Sequence, residues 1–188
     1  TGTGFAVAAS RREGSGDTDG LVLFLDAGGA LAGSAVAGGI GDDFLRAITA
    51  LDDGRVVAGG VWGAGGTDSD AWLFAATPGG DIEWEVSLGG TANEDLRGLV
   101  TLPGGGVLAA ANTASKGAGL SDGWVLSVGS DGELLGEQVL GGAGHDVMHR
   151  VVRGEDGSSV LVGYSGSGIS VAFNEWYLRV PLTACPED

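Results

Sequence analysis

A chain of 188 residues is long enough to bury a proper core in one domain. Its 25 acidic residues against 9 basic ones give a net charge of −16, which repels phosphate backbones and anionic membranes and so argues against nucleic acid or lipid as a partner. No stretch approaches the roughly 18 apolar residues that cross a bilayer, and the single cysteine, Cys185, excludes an internal disulfide. The chain opens at Thr1 with no signal peptide, which leads us to expect a processed or excised product, or part of a longer one. Lys116 is the only lysine, a bias that with abundant Ala, Gly and Asp suits a GC-rich bacterial gene.

The apolar runs, taken in order, predict short strands. Phe5 to Ala9, Leu21 to Leu25 and Ala30 to Ala37 come first. Asp43 to Leu51 then alternates loosely and ends at Asp52-Asp53-Gly54, a tight-turn signal, with Arg55 to Val61 as the return strand. A glycine-rich loop from Gly63 to Ser69 leads to Asp70 to Ala76, and Thr77-Pro78-Gly79-Gly80-Asp81 turns into Ile82 to Leu88. The scheme repeats: Pro103 to Gly106 forms a hairpin before Val107 to Ala111, then come Trp124 to Val128, a turn at Ser130-Asp131-Gly132, and Glu133 to Leu140. Asp146 to Val152, Ser159 to Tyr164 and Trp176 to Val180 follow, and the pattern stops at Pro181. Glycines interrupt every window long enough for a helix. The 39 glycines far exceed an ordinary usage of roughly 7 %, and they recur at fixed places between the runs, where turns want them.

Four landmarks keep one period of about 50 residues. The pairs Gly38-Gly39, Gly89-Gly90 and Gly141-Gly142 are each followed four positions on by an acid, Asp43, Glu94 or Asp146, and then by Arg46, Arg97 or His149. Later in each unit come Asp70-Ala71-Trp72, Asp122-Gly123-Trp124 and Asn174-Glu175-Trp176, with Asp19-Gly20-Leu21 as the earlier counterpart. Four antiparallel strands per unit is the pattern of a propeller blade. The expected fold is all-β: four blades or blade portions within one domain, residues 1–188, with units at approximately 1–38 (partial), 39–89, 90–141 and 142–188 (partial). The first unit lacks a leading strand and the last a fourth, so the strand count is three, four, four and three. We expect an open segment of a larger propeller, with a four-bladed ring as the alternative.

The string Asn112 to Trp124, after Gly106-Val107-Leu108-Ala109-Ala110, resembles the secreted bacterial and archaeal β-propeller repeat proteins, with their T-x-S, G-x-G-x-x-D-x-W and D-x-x-G-x-x-x-W elements. Thr77 to Trp84 is similar to the last of these, with Gly80 and Trp84 in place, whereas Ser130 to Glu137 keeps Asp131-Gly132 and lacks the tryptophan. The resemblance covers nearly the whole chain. It implies a quinoprotein-like or kelch-like propeller and a surface or lipoprotein scaffold, and it implies no one activity.

The recurring pairs Asp43 and Arg46, Glu94 and Arg97, Asp146 and His149 fall on the first strand of each unit, the innermost in propellers. A ring of charge around a central channel is the functional reading; turn capping or blade-to-blade ties is the structural one, which repetition favours. The loops Gly14 to Asp19 and Gly63 to Asp70 offer hard oxygens at alternate positions, as a calcium loop would, but they miss the EF-hand spacing, and Asx turns account for the same aspartates. Trp72, Trp124 and Trp176 are expected to pack blade on blade, each indole N–H needing an acceptor. Trp84 is less regular, and Trp62, in a glycine-rich loop, reads either as an exposed binding aromatic or as a lid over core. His145 and His149 share no helix and have no third ligand, no serine has a nearby base or nucleophile-elbow sequence, and Gly63-Ala64-Gly65-Gly66 precedes a strand, unlike a phosphate cradle. No residue is therefore assigned a catalytic, cofactor-binding or metal-binding role. The expected function is a non-enzymatic extracellular or cell-surface scaffold that binds a protein or glycan partner, or itself, through blade loops or open sheet ends. The alternatives are part of a propeller enzyme using Arg46, Arg97 and His149 on an anionic substrate, and calcium-dependent adhesion.

Overall fold

The computed structural model describes residues 4–12, 14, 16–64, 68–167 and 174–180. Among them are fourteen strands and no helix: β1 Phe5–Arg12, β2 Thr18–Leu25, β3 Leu31–Ala37, β4 Asp42–Ala50, β5 Val56–Ala64, β6 Asp70–Ala76, β7 Ile82–Leu88, β8 Glu94–Thr101, β9 Val107–Thr113, β10 Asp122–Val128, β11 Leu134–Leu140, β12 Asp146–Arg153, β13 Ser159–Ser165 and β14 Asn174–Val180. They form four antiparallel meanders of three, four, four and three strands, β1 to β3, β4 to β7, β8 to β11 and β12 to β14. The expected open, propeller-like array is what the chain adopts. No strand from either end completes the other end's sheet among the described residues. Cys185, Pro181 and the middle of the Gly63 to Asp70 loop lie outside the described residues.

Turn chemistry sets the meander. At the β4–β5 hairpin Leu51 N–H donates to Arg55 O at 2.8 Å, and Gly54 takes a φ of 93° that a side chain would resist. Alternation then sorts side chains to two faces. On β2, Val22 and Phe24 face the second sheet and are buried, while Leu21, Leu23 and Leu25 face the other way and are half-buried. Each interior junction joins the trailing face of one sheet to the leading face of the next. Val22, Phe24, Ala35 and Ala37 meet Val56, Ala58, Trp72 and Phe74. Val57, Ala71, Leu73 and Ala75 meet Leu96, Ala109, Trp124 and Leu126, and Leu108, Ala110 and Val125 meet Met148, Val151 and Leu161. Small residues on the middle strands let the sheets approach closely.

The tryptophans behave as expected. Trp72 and Trp124 are almost wholly buried on the leading faces of their sheets, and Trp176 packs at the equivalent place. The Trp72 indole N–H donates to Glu85 Oε1 at 2.9 Å and that of Trp124 to Glu137 Oε2 at 3.0 Å, in both cases on the fourth strand of the same sheet. Trp62 corrects its placement in a loop: β5 runs on through it, and its ring meets Trp72 edge-on at 5.5 Å as a lid over the core. Trp84 bridges two sheets, donating to Ser130 O at 2.9 Å.

Candidate functional site

The innermost strands β4, β8 and β12 carry the recurring acids at their start, and Asp43, Glu94 and Asp146 are buried to within 1 %. Each accepts the N–H of the second glycine in the pair before it: Asp43 Oδ2 from Gly39 at 2.7 Å, Glu94 Oε2 from Gly90 at 2.8 Å and Asp146 Oδ2 from Gly142 at 2.8 Å. The same residues tie neighbouring sheets through the backbone, Glu94 N–H to Ser69 O at 2.6 Å and Asp146 N–H to Ser121 O at 2.7 Å. The structural reading of the acids, capping and tying, is therefore the one the geometry supports. Burial works to raise the Asp146 pKa, and the neighbouring Ser165 and Ser167 hydroxyls with the N–H groups of Gly142 and Ser167 outweigh it, leaving the carboxyl below its ordinary value.

The bases at the third position beyond have another cause. Arg46, Arg97 and His149 each sit where the ladder slips, between Leu45 and Ala47, Leu96 and Gly98, and Met148 and Arg150. Each is the extra residue of a β-bulge, which re-aims one side chain and bends the strand. They do not pair with the recurring acids. Arg46 and Arg97 instead converge on Asp95, with Arg46 Nε 3.5 Å from Oδ1 and Arg97 Nε 2.5 Å from Oδ2. Burial raises the Asp95 pKa, and the charges of Arg97 and Arg46 oppose it.

Around this group opens a cavity of about 500 Å³, lined among others by Arg46, Asn93, Asp95, Arg97, Ser121 and His145. A second, of about 410 Å³, lies along the inner strands between Val7, Ala47, Gly98 and Arg150 and shares Arg46 with the first. Charged residues therefore line a cavity beside the inner strands, but the expected third member is not among them. His149 is exposed and packs its ring against Tyr164 at 5.5 Å, and His145 and Arg150 line the cavities instead.

Asp95 and Asn112 escaped the sequence reading. Asn112 joins the third sheet to the fourth, accepting from Met148 N–H at 2.7 Å and donating to Met148 O at 3.1 Å. The signal was available as a break in the repeat: Phe44 and Val147 stand where Asp95 does, and Val61 and Tyr164 where Asn112 does. Of the two proposed calcium loops, the described parts hold Asp17, whose Oδ2 accepts from Gly41 N–H at 3.0 Å, and Ser69, whose N–H donates to Asn93 Oδ1 at 3.1 Å. Among the described residues no group of three or more His, Cys, Asp or Glu side chains is arranged to hold a metal.

No family model and no curated protein matches the chain. Solved structures do. The crystal structure of a protein of unknown function from Bacteroides caccae aligns with a TM-score of 0.52 at 10 % identity, over 91 % of this chain and 57 % of that one. The structure of the Dos1 propeller aligns with a TM-score of 0.34 at 13 % identity, over 79 % of this chain and 50 % of that one. The chain thus spans 57 and 50 % of their lengths. The first likeness is one of fold alone.

Proposed function

We propose that the protein is a non-enzymatic interaction module of the secreted bacterial or archaeal propeller-repeat kind, displayed outside the cell, whose two end sheets pack against further blades. The observation that carries this reading is the state of those sheets. Phe5, Val7, Leu21, Leu23, Leu25 and Val36 share the outer face of the first sheet, with Phe5 63 % and Val7 41 % exposed. On the last sheet Val152, Val162 and Tyr177 share the outer face at 51, 40 and 76 % exposure. At the interior junctions a leading face of the first kind is buried against a trailing face of the second. Apolar sheet faces left open in this way mark interaction surfaces. The first face is mainly aliphatic, which suits a polypeptide better than a glycan, and the last sets Val152, Val160 and Val162 beside Tyr177, Arg150 and Arg179.

Head-to-tail contact between copies tests this reading. Sedimentation of the purified chain over a range of concentrations is expected to show association, abolished by Leu23→Asp on the leading face or by Val162→Asp on the trailing face. Mixing the two variants should restore a heterodimer, because each retains the face the other needs. A chain that stays monomeric throughout, or that associates equally well with both substitutions, overturns the proposal. One observation favours a second reading, a site for a small anion: Arg46 and Arg97 share the single carboxylate of Asp95 at the wall of the larger cavity. It predicts saturable binding of an organic anion that Arg46→Ala removes.

A further inference from the structure

The recurring acids have partners across each junction. Asp19, Asp70 and Asp122 begin the strand that carries the tryptophan position, and each faces the acid of the next sheet over the first glycine of the pair between them. A Cβ on Gly38 would lie 2.7 Å from Asp19 Oδ1 and 2.8 Å from Asp43 Oδ2. On Gly89 the distances are 1.8 Å to Asp70 Oδ1 and 2.6 Å to Glu94 Oε2, and on Gly141 they are 1.9 Å to Asp122 Oδ1 and 2.9 Å to Asp146 Oδ2. Two carboxylates so close repel each other, and a cation between them would relieve that repulsion.

The three junctions differ in what is left over. Asp43 has both oxygens engaged, Oδ2 by Gly39 N–H and Oδ1 by Gly63 N–H. Glu94 does too: Oε2 accepts from Gly90 N–H, while Oε1 accepts from the Thr113 hydroxyl at 2.8 Å and from the N–H groups of Ala114 and Ser115 at 3.2 and 3.1 Å. At the third junction the acid is again an aspartate, but only one oxygen of each carboxylate has a well-formed hydrogen bond. Asp146 spends Oδ2 on Gly142 N–H and the Ser167 hydroxyl, and Asp122 spends Oδ2 on the N–H groups of Ala118 and Gly119 at 3.0 and 3.2 Å. Both Oδ1 atoms are buried without a well-formed hydrogen bond, in residues 1 and 0 % exposed, with the Ser165 hydroxyl beside the Asp146 carboxyl. Among the described residues neither carboxylate has an arginine or lysine partner within ion-pair distance. Backbone oxygens lie close to Gly119, whose N–H is bonded to Asp122: Gly142 O and Gly144 O are 2.2 and 2.5 Å from where a Cβ on Gly119 would be.

We propose that the junction between the third and fourth sheets binds one divalent cation through Asp122 Oδ1 and Asp146 Oδ1, fastening the two sheets together. An all-oxygen, water-poor setting with carbonyls nearby favours Ca²⁺, which accepts six to eight oxygens in flexible geometry, over Mg²⁺, which keeps its waters. This site is distinct from the Asp-rich loops and independent of end-face association.

After treatment with EDTA, calorimetric titration of the full chain with CaCl₂ is expected to give one strong site, with MgCl₂ weaker. At a free Ca²⁺ concentration about a hundred times Kd the melting temperature should rise by about 5–10 °C. Asp122→Asn should abolish both effects, and Asp70→Asn, at the junction whose partner acid is already satisfied, should leave both intact. Tb³⁺ luminescence sensitised through Trp124 reads occupancy without reference to stability. Absence of heat, melting shift and luminescence with millimolar ion overturns the proposal. Binding that survives Asp122→Asn, at several weak sites, also overturns it, since it would lie on the acidic surface.

Discussion

Asp70 bears a charge the fold does not welcome. Burial first, then the charges of Asp68 and Glu94, raise its pKa above the ordinary 3.8. The unfolded chain releases this proton at the ordinary value while the folded chain holds it to a higher pH, so proton binding stabilises the native state fully below the unfolded pKa. That contribution is lost as pH rises through the raised folded value. Asp146 has the opposite sign: its lowered pKa adds stability above the unfolded value, which is lost as pH falls through the folded one. Asp70→Asn is therefore expected to raise the melting temperature at about pH 7 and to have little effect at about pH 3, in thermal melts across that range. A gain independent of pH would place the effect in packing instead of charge.

Within one sheet the decisive device is a tryptophan on the third strand, hydrogen-bonded to a carboxylate on the fourth. Trp72 and Trp124 are 0 and 1 % exposed and find Glu85 and Glu137, whereas Trp176 is half-buried in a sheet that has no fourth strand among the described residues. Replacing Trp72 or Trp124 by alanine should cost about 3–5 kcal/mol in urea unfolding, the range for emptying a buried large aromatic site, and Trp176→Ala clearly less. The strands themselves are legible: Asp70 to Ala76 and Ile82 to Leu88 read directly as β6 and β7, the first as an apolar run and the second as strict apolar/polar alternation, both bounded by turn residues. The bulges are not. A bulge adds one residue without changing composition, so nothing in the sequence shows that Arg46, Arg97 and His149 each stand outside the ladder, or that His149 meets Tyr164 while the two arginines meet Asp95. Asp95 was hidden for a related reason: its partners come from two different sheets, and no local spacing announces them. Repetition marks the acids as structural, yet their glycine N–H partners are not legible, since a backbone donor carries no residue signature.

At the scale of the whole molecule, stability in a tandem array is close to a sum of unit stabilities and nearest-neighbour interfaces. The second and third sheets each have two such interfaces, and β6, β9 and β10 are buried along almost their whole length. The first and last sheets have one each, and β1 is largely exposed. Native-state hydrogen exchange should therefore rank the amides, with β6, β9 and β10 opening at free energies close to global unfolding and β1 and β14 exchanging first. The ranking also bears on association. If end faces pair between copies, the first and last sheets each gain the interface they lack, so protection in β2 and β13 should rise with protein concentration while that in β9 stays constant. Protection that is uniform along the chain would mean that the four sheets open as one cooperative unit, and the sum over neighbours would no longer describe this molecule.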